Sequence, residues 1–577
     1  MTTSITSVSS SYSALAYASP APTKSVDQWT TTEIAAIDVA NINSLKPAQI
    51  SAMTTTQVNT LSTAVFAALS ASQVQALTSP QVTSLSTSNV AALTASQLNS
   101  LKATQITSLS STQVNTISTA TLATVKGTQL ALLSTQQVHD LATTSVANLT
   151  TAQIASLTTD QIVGLVAAQL GAMADKVTGL TANQVAAIET ADLTGLTTTQ
   201  VESLSATQVK GLTTSQIEKL STAQFAAITA SDLVSLNATQ MKSMTTAQVS
   251  TMTTAQVAAL TKDEVAGFTT TQVGALTTTQ VSAITSAALA SLSSDQISAF
   301  TTAQINKLTT TQTQSLSAKQ VATLSSAQLN ALTSSQVQAL NDTQVKALTT
   351  VQVSALSTAQ VALLTTAQVA GLESVDVASL TSTQANAMTT SQVQALTAAQ
   401  VKVLNTTTVS GLGTTQVQAL TTAQVVGLTN NQVTAMSSTA VAALTTSQVQ
   451  ALNVLQVKAL STTAVNAMTT DQVKALSVNQ VKALSTAEIA ALNTAQVNIL
   501  TTAQAAALSA TAAAALTTSA VANLTSTQVK ALTKDAVTAL NTAQVKALST
   551  TAVAALSSTQ IATLSSAEVA VLSTAQV

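Results

Sequence analysis

The sequence predicts an all-α solenoid of very short capped helices, one for each eight-residue repeat. Three observations carry that reading: an octad period, a capping box in nearly every octad, and charges sorted to opposite ends of the unit. The chain has 577 residues, 46% of them hydrophobic but only 1% aromatic, so its apolar content is mostly Ala, Val and Leu. A patchwork of ordinary globular domains would bury aromatics in each core, and this composition is too uniform for that.

The period comes first. From Trp29 onward the unit reads L-[ST]-x-x-Q-V-x-a, where a is a small residue. The large apolar anchor falls at Trp29, Ile37, Leu45, Met53, Leu61 and Leu69 and continues without a slip to Met173. Leu45 to Met173 spans 16 octads; one seven-residue unit follows at 173–180, and Leu180 to Leu572 spans 49 more. Self-similarity at a fixed short period marks a repeat architecture. Residues 1–28 are therefore read as a non-repetitive N-terminal arm and 29–577 as a continuous octapeptide-repeat solenoid. The arm holds both tyrosines, Tyr12 and Tyr17, and two of the four prolines, Pro20 and Pro22. The seven-residue unit reads either as a kink or as a tolerated deletion.

The octad that follows Leu420 shows what one unit forms. Thr421 followed three residues later by Gln424 is a capping box, with Leu420 and Val425 as the two halves of a hydrophobic staple. Val425 and Leu428 then lie one i, i+3 step apart on a helix face. The prolines inside the repeats, Pro47 and Pro80, fall in the first helical turn, where a missing amide hydrogen costs nothing. Twelve of the 21 acids fall at the second or third helical position, among them Asp160, Asp192, Asp295, Asp471, Glu488 and Glu568. Eleven of the 19 lysines fall at the two positions before the closing Leu, among them Lys210, Lys219, Lys307, Lys346, Lys458 and Lys546. Acids at the start and cations at the end are what a helix dipole favours. A strand has no such asymmetry.

The helices cannot join into one. Eight residues advance the Leu by about 80° around a continuous helix, so no apolar stripe would form. Helices this short are unstable alone, so stability must come from stacked neighbours, as in a solenoid. Eight of the 12 glycines sit just before the closing Leu, as Gly195 and Gly211 do, which points to a close backbone approach at that phase. The alternative is a β-solenoid, since Thr and Val favour strands and the Gln could form ladders. Against it, Leu and Val are five and then three apart, so a straight strand would put them on opposite faces.

Composition excludes several function classes. The chain has no Cys, which removes disulfides, zinc fingers and cysteine nucleophiles. Its basic residues are all Lys and its net charge is −2, so it lacks the clustered cations of a nucleic-acid footprint. No apolar run is long enough to span a bilayer. The N-terminus has neither a basic segment nor a continuous apolar one, so no Sec-type signal peptide is expected.

Few side chains suggest chemistry. His139-Asp140 has no second His and no carboxylate cluster beside it, so it reads as a solvated surface pair. Asp263-Glu264 falls short of the six or more oxygens that calcium prefers and reads as first-turn dipole compensation. No enzyme activity, cofactor, metal or small-molecule substrate is expected. Trp29 occupies the Leu phase and is expected to cap the first repeat. The expected assembly residues are Tyr12, Tyr17, Trp29 and the final Gln576 and Val577, where the chain stops in mid-octad without a polar cap. That stop reads as a joint for a second molecule or as the edge of a fragment.

The local L-T-x-x-Q string is similar to the helix-opening LTxxQ motif of the periplasmic Spy/CpxP chaperones, a likeness of five residues that carries no function across. From Trp29 to Val577 the chain resembles the long Ala/Thr/Ser-rich octapeptide-repeat proteins of bacterial cell surfaces and extracellular fibres. The resemblance implies a structural protein at the cell surface or outside it, exported without a Sec-type signal. Its physical counterpart is a surface of hydroxyls and amides, with few charges and few protease sites. The expected function is an extracellular filament, sheath or stalk, with the chain itself as partner, head-to-tail or laterally. The alternative is a repetitive binding surface for a polysaccharide, ice or protein partners. Ice binding would need a flat, constant Thr array, whereas Thr, Ser and Asn interchange at the cap. No longer period of two or three octads overlies the octad itself, so the number of octads per turn cannot be read.

Overall fold

A computed structural model describes residues 24–577. Among them the regular structure is entirely helical: 65 α-helices and four short 3₁₀ segments, with no strand. The α-solenoid expectation holds, and its β alternative has no counterpart among the described residues. The chain falls into two compact units, Met1–Leu292 and Ser293–Val577. In the first unit α-helices run from Thr31–Ala35 to Ser286–Ser291, and in the second from Ser294–Ser298 to Ser566–Ala570.

Both units repeat one local design. Helix Ala71–Ala76 begins at the N-cap Ser70 and ends at Leu77, both with extended backbone (φ −69°, ψ 156° and φ −56°, ψ 134°). The next helix then starts at Ser79, after the cap Thr78. Two consecutive non-helical residues, the closing Leu and the cap, make each corner. The Leu is bulky and apolar and the cap is a Ser or Thr whose oxygen takes an amide, so the octad writes its own corner.

Within each unit a helix packs against the third element along the chain. In the first unit Ala71–Ala76 lies between Pro47–Ala52 and Ala95–Leu98; in the second, Thr350–Ala355, Ser374–Ala378, Ala398–Val403 and Thr422–Gly427 stack in succession. Three octads therefore complete one turn within each unit. The Val and Leu of every octad point inward: Val74, Val82 and Val90 are at most 1% exposed, and Leu77, Leu85 and Leu93 at most 6%. Burying one such side chain contributes about 1.5–3 kcal/mol. A short helix gets this only from the turns above and below it, which is why it does not form alone.

The small residue before the closing Leu marks where turns touch. A Cβ added to Gly195 would stand 2.0 Å from the carbonyl oxygen of Ala167, and one added to Gly211 would stand 2.7 Å from that of Ala182. These contacts reach the first helical residue of the turn below, the close approach the sequence pattern called for. Gly371 is an exception, with nothing within 4 Å of the added atom.

The seven-residue unit keeps the stack intact. Residues Ala174–Gly179 form a 3₁₀ helix, whose tighter winding spans the gap with one residue fewer. Ala174 takes φ 50°, the one positive φ at a non-glycine among the described residues. At the start of the chain Val26–Gln28 forms a 3₁₀ segment with Val26 buried, and Trp29 is half-buried at its end. Tyr12 and Tyr17 lie outside the described residues.

Two glycine variants separate packing from propensity. Gly195→Ala is expected to destabilise the first unit by about 1–3 kcal/mol through overpacking. Gly371→Ala, in open space inside a helix, is expected to be stabilising by about 0.5–1 kcal/mol. Native-state hydrogen exchange across the affected turns checks both.

Candidate functional site

The recurrent polar feature of the structure is the glutamine at the third helical position, buried in most octads. Gln57 and Gln480 are each 3% exposed. A buried amide has two donors and an oxygen acceptor, all of which need partners. In the first unit the Thr54 N–H donates to Gln57 Oε1 at 2.7 Å, and the Gln57 N–H donates to Thr54 Oγ1 at 3.2 Å, which closes the capping box. Gln57 Nε2 then donates to the carbonyl oxygens of Val26 (3.1 Å) and Trp29 (2.7 Å), 31 and 28 residues earlier. In the second unit Gln480 repeats this with Ser477, Val449 (2.9 Å) and Leu452 (2.7 Å).

The recipients explain the need. A helix leaves its last carbonyls without intrahelical partners. The Val oxygen already accepts from the closing Leu N–H, as Val449 does from Leu452 (3.2 Å), and has a second lone pair to fill, while the Leu oxygen lies just past the helix end. One glutamine thus joins the N-terminus of its own helix to the C-terminal end of the helix one turn below. Glu could close the box but has no donor for those carbonyls when ionised. Around the seven-residue unit the ladder shifts by one: Gln184 Nε2 reaches Ile154 (3.0 Å) and Leu157 (2.7 Å), 30 and 27 residues back. Gln208 restores the 31 and 28 spacing.

Departures from Gln show what each bond does. Asn89 is one methylene shorter, and its Nδ2 is the buried side-chain nitrogen without a hydrogen-bond partner. The cap amide it cannot reach, Ser86 N–H, instead donates at 2.7 Å to Oδ1 of Asn59 in the turn below. Asn59 Nδ2 donates in turn to the Ser84 carbonyl. The same clip recurs where Ser145 stands at the glutamine position: the Ala142 N–H donates to Asn115 Oδ1 (2.8 Å), and Asn115 Nδ2 donates to the Asp140 carbonyl (2.6 Å). The sequence reading missed these asparagines, because a partner one turn away means nothing until the number of octads per turn is known.

Acids at the glutamine position are a second departure. Glu488 is 3% exposed, and its Oε2 accepts from the Ser485 N–H at 2.6 Å. By register its carboxyl faces the Val457 and Leu460 carbonyls, between rungs supplied by Gln480 and Gln496. Burial pushes the Glu488 carboxyl up, against the pull of the Ser485 hydrogen bonds and the charge of Lys458. Burial and the neighbouring Glu373 charge push Asp376 up to about 6.

The other candidate residues fall into structural roles. Asp140 accepts from Ser111 Oγ in the turn below (2.6 Å), from Gln136 Nε2 (2.9 Å), and is 2.9 Å from His139 Nδ1. The Ser111, Gln136 and His139 hydrogen bonds hold its carboxyl down at about 2. Glu264 closes the cap of its helix, where the Thr261 N–H donates to Oε2 at 2.9 Å. Among the described residues no three metal-ligating side chains cluster. The Trp29 carbonyl serves the ladder as described. Gln576 is also a rung, donating to the Leu548 carbonyl at 2.5 Å, and Val577 is 90% exposed. No described helix is long and apolar enough to cross a membrane. A narrow apolar void of about 30 Å³ beside Leu98, Ile106 and Leu130 is too small for a metabolite.

A family model for the ALTTAQ repeat matches eight segments, residues 185–222, 225–262, 281–310, 342–374, 369–406, 455–486, 478–510 and 535–566. The chain is a tandem repeat protein. No curated protein matches it.

Two substitutions test the ladder. Glu488→Gln is expected to stabilise its turn by about 1–2 kcal/mol at neutral pH by restoring the donor. The folded state binds the Glu488 proton more tightly than the unfolded chain, so its stability falls as pH rises above 4.5. The gain from Glu488→Gln should therefore shrink towards acid pH, as read by local hydrogen exchange. Asn89→Gln should bring a donor to the Val58 and Leu61 carbonyls and stabilise that turn by about 1 kcal/mol in a denaturant titration.

Proposed function

We propose that this chain is a structural protein that forms or extends an extracellular filament, sheath or stalk, by repeat stacking and head-to-tail self-assembly. The observation that carries the reading is the equivalence of the turns. Within each unit a turn offers Val and Leu carbonyls and an apolar interior above, and brings glutamine amides below. Most turns repeat this bonding, so one turn of this kind can follow any other.

A turn from a second copy supplies the same Val and Leu carbonyls, apolar interior and glutamine amides as a turn of the same chain, so it fits the same kind of face. Such a contact joins unlike surfaces, so it propagates into a fibre. The extracellular setting rests on chemistry. Without cysteine the fold is indifferent to redox state, and a surface mostly of hydroxyls and amides carries little charge for pH or salt to act on. The reading assigns no catalysis, cofactor or small-molecule substrate.

Electron microscopy of the purified chain, with circular dichroism on the same sample, tests it. Long uniform fibres with a helical spectrum are expected. Helical particles that stay monomeric at high concentration would overturn the self-assembly.

A further inference from the structure

The outer surface of the second unit is mostly Thr, Ser, Ala and Gln, with exposed Val454, Leu455 and Val478 along one edge and a longer valine row along another. Val351, Val375, Val403 and Val426 are 69%, 61%, 38% and 49% exposed. They lie on Thr350–Ala355, Ser374–Ala378, Ala398–Val403 and Thr422–Gly427, the four helices that stack in successive turns. Val351 and Val375 stand at the second helical position; Val426 and Val403 stand three and four residues further along theirs. Positions three and four apart share a helix face, so the four side chains form one stripe. The helices next on this edge, Ser326–Asn330 below and Thr446–Ala451 above, bear no exposed large hydrophobic residue.

The charges on this edge are equally confined. Across these six helices and their caps the ionisable residues are Glu373, Asp376 and Lys402. Asp376 is buried, while Glu373 and Lys402 are exposed, one on each of the two middle turns of the stripe. The stripe is thus complementary to itself when reversed. With a two-fold axis between the middle turns, the turn of Val375 faces the partner's turn of Val403, and that of Val351 faces that of Val426. Glu373 then comes within the reach of the lysine stem at position 402 of the partner, and symmetry makes the ion pair twice. A two-fold interface must be complementary to itself in this way.

We propose that this edge is a lateral docking surface for a second copy of the chain, which pairs antiparallel through the valine stripe and two reciprocal Glu373–Lys402 contacts. The pairing goes beyond the end-to-end contact proposed above and does not depend on it. Four valines make a small apolar patch, so the ion pairs set direction and register more than they add affinity.

Disulfide trapping of the full chain tests the pairing directly, since the natural sequence has no Cys. A mixture of a Val375→Cys chain and a Val403→Cys chain, each with a single Cys, is expected to give covalent heterodimers under mild oxidation. Leu455→Cys, at an exposed position on a different edge, is expected to give none. In sedimentation velocity, Glu373→Lys or Lys402→Glu alone should weaken dimerisation tenfold or more, and the double swap should restore it. Val351→Thr with Val375→Thr should abolish it while the circular dichroism stays unchanged. Equal trapping at Leu455 and the stripe, a swap that fails to restore, or a chain monomeric at all concentrations would each overturn the proposal. Fibres that form although the stripe variants do not pair would sink the lateral contact and leave the end-to-end one standing.

Discussion

Everything in this structure depends on supplying hydrogen-bond partners to the ends of very short helices. A helix of five or six residues has almost no interior, so nearly all its backbone groups are terminal ones. The chain meets this with one side chain per octad. The glutamine oxygen serves the amide at the start of its own helix, and the glutamine nitrogen serves the carbonyls at the end of a helix one turn below. A buried polar group that satisfies others and is itself satisfied costs little and fixes geometry strongly. Corner, stack and register all follow from it.

That dependence explains why the departures sit where they do. Asn89 and Ser145 are too short to close the box, and at both places an asparagine one turn below, Asn59 or Asn115, takes over the cap amide. Glu488 keeps the acceptor but loses the donor, and burial holds its carboxyl and that of Asp376 towards the protonated form. Thr408 shows a third solution, its hydroxyl donating to the Leu380 carbonyl at 2.6 Å. These solutions each act within one turn, as expected where each repeat contacts only its neighbours.

The same accounting shapes the surface. Cap hydroxyls are turned to the backbone, glutamines are consumed inside, and few groups outside carry distinctive chemistry. A row of exposed valines is conspicuous against that background in a way it would not be on an ordinary globular protein. The stripe lies along the stack and the contacts between turns lie across it, so the two call for different partners.

Much of this was legible in the sequence. The Leu–Thr corner, the capping box, the inward Val and Leu, the first-turn prolines and the small residue at the contact with the turn below are all local, and a period of eight displays them. Trp29 and Gln576 were picked out as candidate joints, and the structure gives both an ordinary place in the ladder. The outward half of each glutamine was not legible, because Nε2 bonds to carbonyls a full turn away and the octads carry no mark of which lies beneath which. The sequence by itself determined the helix, its two ends and its buried face, since these are set by residues within one octad. Only the tertiary structure decided that three octads close a turn. That number fixes the partners of every glutamine, the reach of each asparagine clip and the alignment of the four valines. The physical reason is that turn closure is a property of stacked backbones, and a sequence that repeats with every octad is compatible with any count of them.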